Sequence, residues 1–266
     1  MFAQIKHMAI VSSNVNHEGD FYRDVFGMKR SGVARTGGAV VVRDGYVGLN
    51  LNPRAPGRQA GFDHFGFEVQ DVEEVFSRLK DKYPKVQVLK RPGNRPFAGI
   101  STHDPAGNVF DLSQQGMENR TNLYVDQDEQ RARRISHFAL RVVQPDEIGE
   151  FYRTVFDLTE LEKPAGDPNH YLSDGKVTLA VMPWQISDFL GSGIERPALD
   201  HIGFKVESMA AFKGDWEKYA ANYTPTDDRP DKNPEREVRQ KLFAKCCFGQ
   251  FQMSDPDGVL IDVTEN

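Results

Sequence analysis

Six residues of this chain have the types and spacing to hold a metal ion: His7, His64 and Asp111, then His137, His201 and Asp262. Each trio offers two imidazole nitrogens and one carboxylate. Such a set leaves three positions open on an octahedral ion, the facial arrangement used in non-haem Fe(II) chemistry. The trios also match in their surroundings. Ile5-Lys6-His7-Met8-Ala9 returns 130 residues later as Ile135-Ser136-His137-Phe138-Ala139. Asp63-His64-Phe65-Gly66-Phe67 returns as Asp200-His201-Ile202-Gly203-Phe204 at an offset of 137. Asp104-Pro105-Ala106-Gly107, leading to Asp111, returns as Asp255-Pro256-Asp257-Gly258, leading to Asp262, at 151. Phe21-Tyr22-Arg23-Asp24-Val25-Phe26 matches Phe151-Tyr152-Arg153-Thr154-Val155-Phe156, again at 130. Four anchors in one order with a growing offset mean a duplication, with insertions of about 7 and 14 residues in the second copy.

Strands must aim these side chains, because alternate strand residues face opposite ways. Phe65, Phe67 and Val69 share one face and His64, Gly66 and Glu68 the other; Ile202, Phe204 and Val206 repeat the pattern opposite His201. Asp111 is flanked by Phe110 and Leu112, and Asp262 by Ile261 and Val263. Within the first copy, the spacing predicts a strand over Ile5–Val11, a helix over Glu18–Phe26 stopped by Gly27, and strands Gly38–Arg43 and Tyr46–Leu51 around an Asp44-Gly45 turn. The pattern then restarts: strand Asp63–Val69, helix Val72–Tyr83, and strands near Val86–Lys90, Gly99–His103 and Val109–Ser113. The fold class is α+β, a strand–helix–strand–strand–strand module occurring four times. The expected domains are residues 1–115 and 134–266, joined by a polar linker over 116–133 with a short ordered stretch at Leu123-Tyr124-Val125.

Composition agrees with a folded, water-facing protein. The 266 residues are 39% hydrophobic and 27% charged, which excludes a disordered chain, a collagen-like repeat and a coiled coil. The net charge of −6 argues against a broad nucleic-acid face. No run approaches the ~18 apolar residues of a membrane span, and Met1–His7 does not read as a secretory signal. Cys246 and Cys247 are adjacent and build no disulfide framework, so a cytoplasmic location is expected.

With its Phe-Tyr-Arg-x-Val-Phe helices, Asp-His-x-Gly-Phe strands and Asp-Pro-x-Gly-x-x-x-Asp ends, the chain resembles two tandem domains of the vicinal oxygen chelate superfamily. That family includes glyoxalase I, bleomycin- and fosfomycin-resistance proteins, epimerases and extradiol ring-cleaving dioxygenases. The resemblance implies that paired modules form half-open mixed β-barrels with helices outside, each around one metal. It makes His137, His201 and Asp262 the first-choice ligands and His7, His64 and Asp111 the second. Asp111 and Asp262 stand where the family usually has Glu, a donor one methylene longer. Glyoxalase-type sites add a carboxylate from the strand here reading Gly45–Asn50 or Gly175–Ala180, and neither offers Asp or Glu.

A three-ligand site favours a dioxygenase: Fe(II), with Mn(II), Zn(II) and Ni(II) as alternatives, acting with O2 on a catechol-like substrate with vicinal oxygens. The alternatives are an isomerase, epimerase or lyase using a divalent ion, and a metabolite- or drug-sequestering protein. A homo-oligomer is compatible with either enzyme reading. The dioxygenases' tyrosine, about ten residues before the last carboxylate, is replaced by Ser101 and Gln252. His103 and His170 are the remaining candidates for acid–base work. The insertion Tyr223–Lys245 reads as a charged loop or a lid, Trp184, Phe189, Phe243 and Phe251 as core or pocket wall, and His17 as surface.

Overall fold

The computed structural model describes every residue except 32–37, 93–96, 98, 117–130, 193–196, 223–247 and 266, together with the side chains of 190–192. The expected stretch at Leu123-Tyr124-Val125, the proposed lid, Phe243, Cys246 and Cys247 lie outside the described residues.

The first half runs β1 (Ala3–Ser12), α1 (Val15–Phe26), β2 (Lys29–Arg30), β3 (Val40–Arg43), β4 (Gly48–Pro53), β5 (Gly61–Val69), α2 (Val72–Lys82), β6 (Val88–Lys90), β7 (Ile100–His103) and β8 (Val109–Gln114). The second runs β9 (Arg134–Val142), α3 (Pro145–Phe156), β10 (Thr159–Glu160), β11 (His170–Ser173), β12 (Thr178–Pro183), α4 (Ile186–Ser192), β13 (Ala198–Val206), α5 (Met209–Asn222), β14 (Phe251–Ser254) and β15 (Leu260–Glu265). The sheet orders are β2-β3-β4-β1-β5-β8-β7-β6 and β10-β11-β12-β9-β13-β15-β14. Each is a mixed, open sheet whose two modules meet where β1 pairs antiparallel with β5, or β9 with β13.

Local chemistry sets the element ends. Asn14 caps α1 by accepting from the His17 amide, so the helix starts at Val15, earlier than its apolar stripe indicates; Gly27, at φ 65°, ends it. Asp71 caps α2. In the expected Asp44-Gly45 turn, Asp44 Oδ1 accepts from the Tyr46 and Val47 amides, and β4 therefore begins only at Gly48.

The helices lie on the outer face of each sheet, and there the halves meet. Phe67 of β5 stacks on Phe156 of α3 with centroids 4.3 Å apart, and Phe204 of β13 stacks on Phe26 of α1 at 3.9 Å. Each strand's phenylalanine face thus packs on a helix of the other half, and one continuous core joins them. A fully buried phenylalanine contributes roughly 1.5–3 kcal/mol. The polar links are exchanged in the same way. Tyr22 Oη donates to Asp255 Oδ2 and Tyr152 Oη to Asp104 Oδ2, both at 2.9 Å. Asp44 Oδ2 accepts from the Ile135 amide at 2.8 Å, and its counterpart Asp174 Oδ2 accepts from the Ile5 amide at 2.6 Å. His17 is part of this junction rather than plain surface: its Nε2 is 2.7 Å from Tyr219 Oη of α5.

Among the described residues, no helix is long and apolar enough to cross a membrane.

Candidate metal centres

On the inner face of each sheet the predicted residues come together. His7 (β1), His64 (β5) and Asp111 (β8) form one trio; His137 (β9), His201 (β13) and Asp262 (β15) form the other. The Nε2 atoms of His7 and His64 are 3.2 Å apart, and those of His137 and His201 are also 3.2 Å apart. Asp111 Oδ2 lies 3.3 Å from His64 Nε2, and Asp262 Oδ2 lies 3.3 Å from His137 Nε2. Donors at right angles on an ion with bonds of about 2.1 Å sit roughly 3 Å apart, so both trios have a metal centre's edge lengths. Aspartate, though shorter than glutamate, reaches.

β-Bulges make this possible. On β5, His64 pairs with Ala9 and Phe62 with Ile10, which leaves Asp63 as an extra residue; Asp200 is the extra residue between Leu199 and His201 on β13. Lys6 and Ser136 are the matching extras just before His7 and His137. A bulge re-aims a side chain that strict alternation would send to the opposite face. Asp63 Oδ2 accordingly meets His64 Nδ1 at 2.7 Å, and Asp200 Oδ2 meets His201 Nδ1 at 2.9 Å. These carboxylates accept the Nδ1 proton and aim Nε2 at the centre, where a bound ion would displace any proton on it and take its lone pair. Sequence reasoning gave Asp63 and Asp200 no role; their recurrence directly before each histidine was the available signal.

Further neighbours complete each shell. Ser101 Oγ donates to Asp111 Oδ1, and Gln252 Nε2 donates to Asp262 Oδ1 at 3.0 Å, so each carboxylate is held by one oxygen while the other faces the histidines. Phe97 stacks on His7 at 4.7 Å and Phe248 on His137 at 4.6 Å. Gly66 and Gly203 lie beside His7 and His137 in register. A Cβ on Gly203 would fall 1.9 Å from the His137 ring; one on Gly66 would fall 2.6 Å from Phe97 and 2.9 Å from the Asp111 carbonyl.

The electrostatics fit a cation. Burial works against charge on His64, but its hydrogen bonds with Asp111 and Asp63 prevail and raise its pKa to about 9. Burial tends to raise the Asp111 carboxyl, and the His64 contact overrides it and lowers it. The first centre therefore attracts positive charge. In the second, burial pulls His137 below its ordinary pKa in spite of Asp262, which favours the neutral, ligating imidazole. Asp262 Oδ2 is buried without a hydrogen bond, an arrangement a cation would satisfy. The second trio is the more deeply buried, with His201 and Asp262 0% exposed, whereas the His64 side chain is 18% exposed.

His103 and His170 do not join either trio. His103 Nε2 accepts from the Gln87 amide at 3.0 Å, and its Nδ1 is 2.7 Å from the Asp104 carbonyl. His170 packs against Gly149 on the outer side, with Glu160 and Asp146 each 2.7 Å from its ring nitrogens. Phe251 packs toward the core against Phe212, and Phe189 is exposed.

Residues 4–112 match the sequence model of the Glyoxalase/Bleomycin resistance protein/Dioxygenase superfamily. The match spans the first half of the chain, and the second half repeats its anchors. No curated protein sequence matches the chain. Among solved structures, the chain is similar to a Mn(II)-bound glyoxalase from Novosphingobium aromaticivorans (15% identity, 99% of this chain and 82% of that one, TM-score 0.63). It is also similar to homoprotocatechuate 2,3-dioxygenase from Arthrobacter globiformis (16% identity, 100% and 80%, TM-score 0.62). A third is a xylose isomerase-like TIM barrel/4-hydroxyphenylpyruvate dioxygenase fusion protein (14% identity, TM-score 0.62), of which the chain, itself fully covered, spans 49%. At these identities the likeness is one of fold. Superfamily enzymes use divalent metals, and both trios have the donors to hold one.

Proposed function

We propose that the protein is a metal-dependent oxygenase with a divalent ion, Fe(II) in the working enzyme, at each trio, and that the His137–His201–Asp262 centre is the reacting one. The observation that carries this reading is the convergence of three protein donors, two histidines and one aspartate, with no fourth carboxylate grouped with them among the described residues. In register next to His7 stands Gly48, and next to His137 stands Thr178. The open side of each ion would be left to a catechol-like substrate chelating through vicinal oxygens. A bound ion would supply Lewis acidity to those oxygens and, as Fe(II), a relay for electrons passing from the catecholate to O2.

The chain's own residues set the conditions. Asp63 and Asp200 keep a proton on Nδ1 of His64 and His201, so that Nε2 ligates. Ser101 and Gln252 fix the carboxylates. Phe97 and Phe248 cover the rings of His7 and His137 and exclude water from that side. The deeper burial of the second trio strengthens every charge interaction within it. His103 and His170 take no part, since their nitrogens are engaged elsewhere.

Anaerobic reconstitution with Fe(II), then O2 uptake with a panel of catechols, tests the reading. Uptake that His201→Ala abolishes is the expected result. Metal binding without uptake on any catechol would overturn the oxygenase and favour an isomerase, epimerase or lyase. A chain that binds no metal would point to a sequestering protein.

A further inference from the structure

Arg141 is a buried cation on the reacting face of the second half. It lies on β9 on the same side as His137 and Ala139, and its side chain is 7% exposed. Its Nε donates to Asp200 Oδ1 at 3.1 Å, while Asp200 Oδ2 holds His201 Nδ1. The guanidinium is therefore one carboxylate and one imidazole away from the centre. Among the described residues, Asp200 is its hydrogen-bonding partner through Nε alone, and the N–H groups of Nη1 and Nη2 meet no acceptor. The stem and Nε are buried and pinned, while the Nη edge is not sealed from solvent and stays open to a ligand.

The same inner face carries an apolar cluster of Ala139, Tyr171, Ala180 and Met182, with Phe248 packed against it. Unmet donors beside an apolar wall suit a molecule with a hydrocarbon body and an anionic end. Among its described residues the first half places its cations differently, with Arg91 Nε donating to Ser101 Oγ on the carboxylate side of the trio. Val11 stands where Arg141 stands in the second, and the cation on Asp63 is Arg58, a loop side chain 55% exposed. The two halves share a trio and differ in what lies beside it.

We propose that Arg141 recognises a carboxylate on the substrate of the second centre, with Asp200 holding the guanidinium by Nε so that its planar Nη edge accepts both carboxylate oxygens. This deepens the reading above, and rests on it, by restricting the substrate class to carboxylated vicinal-oxygen compounds. Asp200 then has two tasks: it orients His201 and positions Arg141.

The test needs no turnover. The metal-free full-length chain is titrated with benzoate, phenylphosphonate and neutral benzamide by calorimetry, and the Arg141 side-chain ¹⁵N signals are followed by NMR. Benzoate is expected to bind and to shift the Arg141 Nη signals, with benzamide at least about tenfold weaker. Arg141→Met is expected to weaken benzoate at least about tenfold and Arg141→Lys less, because lysine keeps the charge and loses the fork. Circular dichroism of both variants controls for folding, and Arg141→Lys keeps the comparison meaningful if the methionine variant unfolds. The proposal is overturned if benzoate and benzamide bind alike, if neither binds, if phenylphosphonate is preferred, or if the Nη signals do not move. Absence of metal or O2 chemistry would instead sink the preceding reading and leave these binding data standing.

Discussion

Asp63 Oδ2 lies 2.7 Å from Nδ1 of His64, its own neighbour in the chain, and on the same side of the sheet. Asp200 and His201 repeat the pair. A carboxylate behind a ligating imidazole fixes its tautomer and raises its basicity, and its loss typically costs about 10–100-fold in metal affinity. The native chain is expected to bind two equivalents of divalent metal. Asp63→Asn and Asp200→Asn should each weaken one site, and His64→Ala and His201→Ala should each remove one equivalent. Metal analysis against a competing chelator measures this. A stoichiometry unchanged by either alanine variant would sink the assignment of ligands.

Glycine at 203 is a matter of space. Its missing Cβ is where the His137 ring sits, 1.9 Å from the position a methyl group would take. Gly203→Ala is expected to displace that ring, abolish metal binding in the second half and cost about 1–3 kcal/mol or more of stability. Gly66→Ala should act likewise on the first half through Phe97 and the Asp111 carbonyl. Full metal occupancy in Gly203→Ala, read by metal analysis alongside a urea melt, would contradict the packing argument.

The junction near α1 holds an acidic group that its counterpart lacks. Glu18 is buried, and burial first, then the charges of Asp255 and Asp257, raise its carboxyl well above the ordinary range. Asp255 is pushed up to about 6, chiefly by burial. At the matching place in α3 stands apolar Ile148. Folded-state pKa values above the unfolded ones mean that the native chain binds more protons. The stability from these groups is fully present below about pH 4 and is lost as pH rises through 6 and beyond. Glu18→Gln keeps the shape and removes the charge. It should be more stable than the parent by on the order of 1–2 kcal/mol at about pH 8, with the gap closing toward about pH 5. Thermal melts of both proteins across that range decide it; a gap that widens on acidification would refute the sign.

The exchanged tyrosines should contribute separately. Tyr22→Phe and Tyr152→Phe each delete one buried hydrogen bond between the halves, worth about 1 kcal/mol. They serve different aspartates, so the double variant should lose about the sum. Urea denaturation of the three variants measures this, and strong non-additivity would mean that the two junctions act as one unit.

The duplication and the six candidate ligands were legible in the sequence, because short anchors repeated in order and strand alternation assigned His64 and His201 to one face and their phenylalanines to the other. Helix spans were legible to within a few residues; the start of α1 was missed because Asn14 extends it beyond its apolar stripe. Asp63 and Asp200 were not legible as partners of the histidines, since alternation places neighbours on opposite faces and only a bulge overrides it. His103 and His170 looked available because sequence shows a residue type without its hydrogen bonds.

By itself, then, the sequence determined the modules, their number and the candidate donors of each half, all products of local periodicity and an internal repeat. Only the tertiary structure decided which face of each half meets the other, that Phe67 and Phe204 pack on helices of the opposite half, and that Arg141 lies buried behind Asp200. Those outcomes depend on contacts between residues far apart in the chain, where burial and hydrogen-bond satisfaction outweigh local preference.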